Sequence, residues 1–339
     1  MESRIRLNLE VAVFLAMIGG MARAGDLNPP AGPVAPTHKT LTEVEPRIAI
    51  NATNTPGDAD SVFRIALSGS YYLTSNVFGA AGKSGIEIGV DNVTIDLAGF
   101  SLIGAPGALD GISAPGRSDI AIRNGNVRSW PGDGIGLSSA SQTVVEEVVA
   151  RSNTGIGINT FSRSLVKDCI CYANGGAGIV VGSVSTMTLC LCYNNGGPGI
   201  STGGTSTITQ CVTRLNQAQG ILAVGPATIS GCTSATNTTH GIEVSSTCFV
   251  SGNECSNAGN GGTGANILAT GGDNRIEGNN VTGGDFGIQV TGTGNLIVRN
   301  SSSGAGTANY SIAASNKDAQ VLSPGSGFVS TDPWANFTY

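Results

Sequence analysis

From about residue 60 onward the chain runs in short bursts. Apolar side chains fall on every second residue for three or four positions, and Asn, Gly, Ser or Thr then interrupt. Period-two alternation this short predicts strands, not helices. One burst recurs as a Gly-Ile-x-apolar tetrad, in Gly85-Ile86-Glu87-Ile88, Gly134-Ile135-Gly136-Leu137, Gly155-Ile156-Gly157-Ile158, Gly178-Ile179-Val180-Val181, Gly241-Ile242-Glu243-Val244 and Gly287-Ile288-Gln289-Val290. Looser copies begin at Gly111, Gly199, Gly220, Gly264 and Asn309. The residues after these starts lie at 86, 112, 135, 156, 179, 200, 221, 242, 265, 288 and 310, a mean step of about 22. A second strand follows each tetrad, as in Val93-Thr94-Ile95-Asp96-Leu97, Thr186-Met187-Thr188-Leu189 and Thr207-Ile208-Thr209. A weaker third strand and an Asn/Gly turn complete the unit.

About 22 residues leave no room for a helix and match one coil of a parallel β-helix. The pattern predicts an all-β, single-stranded parallel β-helix, a solenoid of about 11 coils over residues 61–322, capped at both ends. A leucine-rich repeat would need Leu-x-x-Leu-x-Leu with Asn, and a propeller a period of about 40 residues.

Residues one coil apart should stack. Asn153, Asn174, Asn195, Asn216 and Asn237 step by 21 and predict a turn ladder, where Asn pairs side chain to side chain and tolerates left-handed geometry. Cys169, Cys190, Cys211 and Cys232 also step by 21, and Asn253, Asn279 and Asn300 continue that column. Cys171 and Cys192 form a shorter one, with Cys255 and Val281 in line. Stacked Cys fills a narrow core as a small apolar residue. Disulfides remain a second reading, though parallel Cβ vectors suit them poorly. Metal binding is a third, which the absence of nearby His disfavours.

Composition adds a reason for the fold and removes other functions. Of 339 residues 51 are Gly, only 12% are charged, and the formal net charge is -6. So much Gly argues against a helical bundle, and the acidic balance against nucleic acid as a partner. Residues 1–24 read as a signal peptide: Arg4 and Arg6, the apolar run Val11 to Ile18, and cleavage after Ala24 in Ala22-Arg23-Ala24. No later stretch reaches the 18 apolar residues a spanning helix needs, so no membrane span is expected in the mature chain. The expected location is outside the cytoplasm: secreted, periplasmic or on the cell surface. Residues 25–60 read as a Pro-rich leader and N-terminal cap, and 323–339 as a C-terminal cap.

These coils, the Asn column, Thr55-Pro56-Gly57-Asp58-Ala59-Asp60, Gly69-Ser70-Tyr71-Tyr72-Leu73, Asn92-Val93-Thr94-Ile95-Asp96-Leu97-Ala98-Gly99-Phe100 and the closing Asp332-Pro333-Trp334-Ala335-Asn336-Phe337 carry a resemblance. Over about residues 60–325 the chain resembles right-handed parallel β-helix proteins of the pectin-lyase-like superfamily, among them exported bacterial members. The resemblance implies right-handed coiling and a polysaccharide or cell-surface glycan as partner. It implies lyase, hydrolase or epimerase chemistry only where the machinery is present. The Asn-Thr-Asp, Asp-Asp, Gly-His-Gly, Arg-x-Lys and Asp-Pro-His motifs of such enzymes are missing; His240-Gly241, preceded by Thr239, is the nearest echo.

Asp110 and Asp133 each lie two residues before a coil mark and should stack. Stacked carboxylates repel unless a cation or a shared proton lies between them. They are therefore candidate calcium ligands and, with Arg123, candidate catalytic residues. Arg117, Arg128 and Arg151 belong to the same N-terminal coils, as do Asp96, Glu146, Glu147 and Lys167 with alternating sign. Trp130, Tyr71 and Tyr72 are candidate sugar-stacking aromatics. Two functions follow: a non-catalytic surface protein binding glycans or protein partners on a lateral face, or a divalent-cation-assisted polysaccharide lyase or glycoside hydrolase.

Overall fold

The computed structural model describes residues 46–259, 262–323 and 330–339. The expected signal peptide and the leader up to residue 45 lie outside the described residues. Every coil lays down three short strands, and each strand pairs in parallel with its counterparts in the coils above and below, giving a parallel β-solenoid of about 13 turns. Twelve strands, beginning at Ser61–Ile65 and ending at Ala308–Ile312, form the first face. The second and third faces merge into one 24-stranded sheet, because Ser118–Arg128 and Ser141–Arg151 bend around the corner without a break.

On the first face the inward column reads Ile86, Ile112, Ile135, Ile158, Ile179 and Ile200, all fully buried. Each such burial contributes roughly 1.5–3 kcal/mol. The expected marks need two shifts. Ile158, not Ile156, pairs with Ile135, and Ile267, not residue 265, pairs with Ile242. The Gly155-Ile156 tetrad is a near-copy out of register, and the coil before Ile267 carries a longer turn. One further coil precedes the first mark, because Phe63 pairs with Ile86 without a Gly-Ile tetrad of its own.

Two corner columns hold the coils in register. At the corner between the third and first faces, Asn153 Nδ2 donates to Asn174 Oδ1 at 3.0 Å, and Asn174, Asn195, Asn216 and Asn237 continue the ladder at 2.9–3.0 Å. Left-handed geometry falls on the residue before each Asn: Ser152, Ala173, Asn194, Leu215 and Thr236 have φ between 54° and 56°. The ladder Asn is therefore kept for its inward hydrogen bonds, not for its backbone freedom. At the corner between the second and third faces, Cys169, Cys190, Cys211 and Cys232 are followed by Asn253, Asn279, Asn300 and Asn336. All eight Cys are buried and free, so the columns are stacked thiols.

The C-terminal strand Asn336–Thr338 slots between Ser301–Ser303 and Val321–Leu322 on the third face. It carries the last rung of the second Asn ladder, and Arg299 packs over the Trp334 ring at 4.1 Å. No helix among the described residues is long and apolar enough to cross a membrane.

Candidate functional site

Asp110 and Asp133 stand in one column at the corner that leads into the first face. Their carboxylates are each turned to the next coil. Asp110 Oδ1 accepts the Asp133 backbone N–H at 2.7 Å. Asp133 Oδ1 accepts the Ile156 N–H at 2.7 Å, and its Oδ2 accepts from Asn159 Nδ2 at 2.9 Å. Burial, and to a lesser degree the Asp133 charge, raises the Asp110 carboxyl from its ordinary value against the lowering effect of that N–H bond. One carboxylate oxygen of the four, Asp110 Oδ2, has no hydrogen-bond partner among the described residues, and it sits over Gly136, where an added Cβ would lie 2.5 Å away. Calcium takes six to eight oxygen ligands, and no group of three or more His, Cys, Asp or Glu among the described residues is placed to hold a metal ion. The pair does not fit calcium. Its observed work is to tie backbone N–H groups of successive coils.

Arg123 does not join them. It lies on the second face, in the outward column Tyr72, Asp96, Arg123, Glu146, Lys167. There Asp96 pairs with Arg47 at 2.9 Å and with Arg123 at 3.7 Å. Glu146 is the rung, while Glu147 is a left-handed corner residue. Exposed pairs of this kind are worth little. The remaining N-terminal arginines also separate: Arg117 precedes the second face, whereas Arg128 and Arg151 are partners on the third.

The aromatics expected to stack on sugars are mostly interior. Trp130 and Tyr71 are 0% and 2% exposed, and Arg47 covers Tyr72 at 4.9 Å. Trp130 takes the ladder position one coil before Asn153, its N–H bonded to Asn153 Oδ1 at 3.0 Å, and so points inward.

Two aromatics that the sequence reading passed over are outward and aligned. On the third face the column Arg128, Arg151, Tyr172, Tyr193, Arg214 places one residue on each successive coil. The Tyr172 and Tyr193 rings stack at 4.8 Å and 4°, and the Arg151 guanidinium lies 5.9 Å from the Tyr172 ring. Beside it runs an apolar column of Val149, Ile170, Leu191 and Val212, with Ile170 37% exposed. Residues 151, 172, 193 and 214 step by 21, the same arithmetic that reveals the Asn and Cys ladders.

His240 lies at the turn before the strand Ile242–Val244. Its Nδ1 accepts the Ala265 N–H at 3.0 Å, and Nε2 lies 3.9 Å from Glu243 Oε2, which also accepts from Gln219 Nε2 at 2.7 Å. Burial lowers the imidazole below its ordinary 6.5, and Glu243 offsets part of that. A depressed folded value means that the folded state resists protonation. The stability contribution is whole above about 6.5 and is lost as pH falls through the lower folded value. The denaturant midpoint should therefore fall between about pH 7 and about pH 5, and the fall should shrink in His240→Asn.

The chain matches no family model and no curated protein. Among solved structures, the A-module of mannuronan C-5 epimerase AlgE4 from Azotobacter vinelandii superposes with a TM-score of 0.54 at 16% identity, covering 79% of this chain and 90% of that one. The AlgE6 A-module from the same organism gives 0.53 at 14% identity, over 80% and 91%. The likeness is one of fold, and on fold this chain is a right-handed parallel β-helix, as the pectin-lyase-like resemblance implied.

Proposed function

We propose that the protein is an exported, non-catalytic β-helix protein that binds glycans along its third lateral face. The observation that carries this reading is the outward Tyr172–Tyr193 stack between Arg151 and Arg214, lined by Ile170 and Leu191. Parallel strands fix these side chains in advance, so little ordering is required on binding. The mixture of aromatic, apolar and hydrogen-bonding groups suits sugars, which present both apolar C–H faces and hydroxyls. Export rests on residues 1–24.

The enzyme reading needs Asp110, Asp133 and Arg123 at one place, whereas Arg123 lies on the second face and the two Asp at the corner into the first. The test is to incubate the full chain with a panel of neutral and acidic polysaccharides, with and without Ca²⁺. Binding is measured by calorimetry, and reducing ends and unsaturated products are measured in the same samples. Binding without product is expected, with the Tyr172→Ala/Tyr193→Ala double variant weaker by about tenfold or more, on the order of 1.4 kcal/mol. Turnover that disappears in a folded Asp133→Asn variant would establish the enzyme instead.

A further inference from the structure

We infer that the third-face column is a site for a polyanionic glycan lying along the helix axis, its acidic groups held by Arg128, Arg151 and Arg214. This rests on the glycan-binding reading and specifies its ligand. The first argument is the distribution of ion pairs. Arg47, Arg64, Arg123, Arg275, Arg299 and Lys167 each have a carboxylate within 4 Å. Arg128, Arg151 and Arg214 have none among the described residues, although the chain carries a net charge of -6. Lys83, Arg117, Arg163 and Lys317 are likewise without one, but none of them belongs to this column. An acidic protein has thus left three guanidiniums unneutralised on one face.

Their placement is the second argument. Arg128 and Arg151 are direct parallel neighbours, so their like charges oppose the pairing. A bound anion relieves that repulsion, and guanidinium forks suit carboxylate and sulfate oxygens. Acids of the adjoining corner and column are placed elsewhere. Asp168 is tied to Lys167 at 3.2 Å, Glu147 is a corner residue, and Glu254 lies on the neighbouring column two coils beyond Val212.

The tyrosines add hydroxyl groups that can donate to an anion. Because Tyr172 and Tyr193 stack on each other, their edges and hydroxyls face outward, and ring edges carry positive partial charge. Neither hydroxyl has a protein partner among the described residues. Guanidiniums therefore flank ring edges and hydroxyl donors in one row, with the two rings 4.8 Å apart. A linear chain with acidic groups matches that row, while the apolar column receives its C–H faces. A second copy of the protein would bring the same positive column against itself.

The test titrates the full chain with polygalacturonate, dextran sulfate and unmodified dextran at low and at raised salt. Polygalacturonate or dextran sulfate should bind and dextran should not, with salt weakening the binding. The two polyanions distinguish carboxylate from sulfate. Arg151→Ala/Arg214→Ala should lose about tenfold or more in affinity, and the Lys double variant should recover part of it. Arg275→Ala removes the same charge from the second face and should stay within about twofold. Unchanged melting curves establish that the variants fold. Equal binding of dextran and polygalacturonate, or full polyanion affinity in Arg151→Ala/Arg214→Ala, overturns this inference and leaves glycan binding standing. Binding of no glycan at all removes the underlying reading as well.

Discussion

Trp130→Ala should destabilise the N-terminal coils by about 3–5 kcal/mol, the usual cost of deleting a buried indole. Trp130 has no exposed surface, and its Nε1–H donates to the Leu102 carbonyl at 3.3 Å. Glycines line its slot. A Cβ added at Gly79 or Gly85 would come within 2.9 Å of the ring, and one at Gly111 within 3.1 Å of Nε1. The substitution therefore leaves a cavity and removes the indole's bond to the Leu102 carbonyl. The converse experiment is Gly85→Ala, whose Cβ would stand 2.6 Å from the Gly111 oxygen and 2.8 Å from the indole. Overpacking of this kind costs about 1–3 kcal/mol. Denaturant midpoints read both. A Trp130→Ala midpoint equal to that of the parent would mean that this corner contributes little to stability.

Asn195→Ala should cost about 3 kcal/mol or more, at about 1–3 kcal/mol for each buried group left unsatisfied. Asn195 Oδ1 accepts from Asn174 N at 3.1 Å and from Asn174 Nδ2 at 3.0 Å. Its Nδ2 donates to the Cys171 carbonyl at 3.1 Å and to Asn216 Oδ1 at 3.0 Å. One truncation interrupts the ladder on both sides. Because each coil contacts only its neighbours, the damage should be local. Hydrogen exchange should accelerate around Asn174 to Asn216 and remain slow at Ser301–Ser303. Asn194→Gly is the control. Asn194 has φ 54° and is exposed, so Gly there should alter stability by no more than about 0.5 kcal/mol.

Stacking arithmetic made most of the fold legible. Steps of 21 place the Asn and Cys ladders on the correct corners, because a coil of fixed length repeats its inward positions. The arithmetic slips where coil length changes. Ile156 copies the local tetrad but not its register, and the longer turn before Ile267 hides a shift of two. The site was less legible. Asp110 and Asp133 do share a column, yet a column does not say which way a carboxylate turns, and theirs turn to backbone N–H groups. Trp130 suggested an exposed platform by residue type, whereas one coil upstream of Asn153 is an inward corner position. Tyr172 and Tyr193 share the spacing of 21 with their inward neighbours Cys171 and Cys192, so spacing alone does not tell the outward column from the core column.

The central claim, that the third face is the binding surface, is tested most directly by tyrosine footprinting with and without polygalacturonate. Tyr172 and Tyr193 are half-buried and outward, whereas Tyr71 is buried and Tyr72 lies on the second face. Binding should suppress nitration of Tyr172 and Tyr193 and leave Tyr72 unchanged. Suppression at Tyr72, with Tyr172 and Tyr193 still reactive under saturating ligand, would place the ligand on the second face and contradict the account.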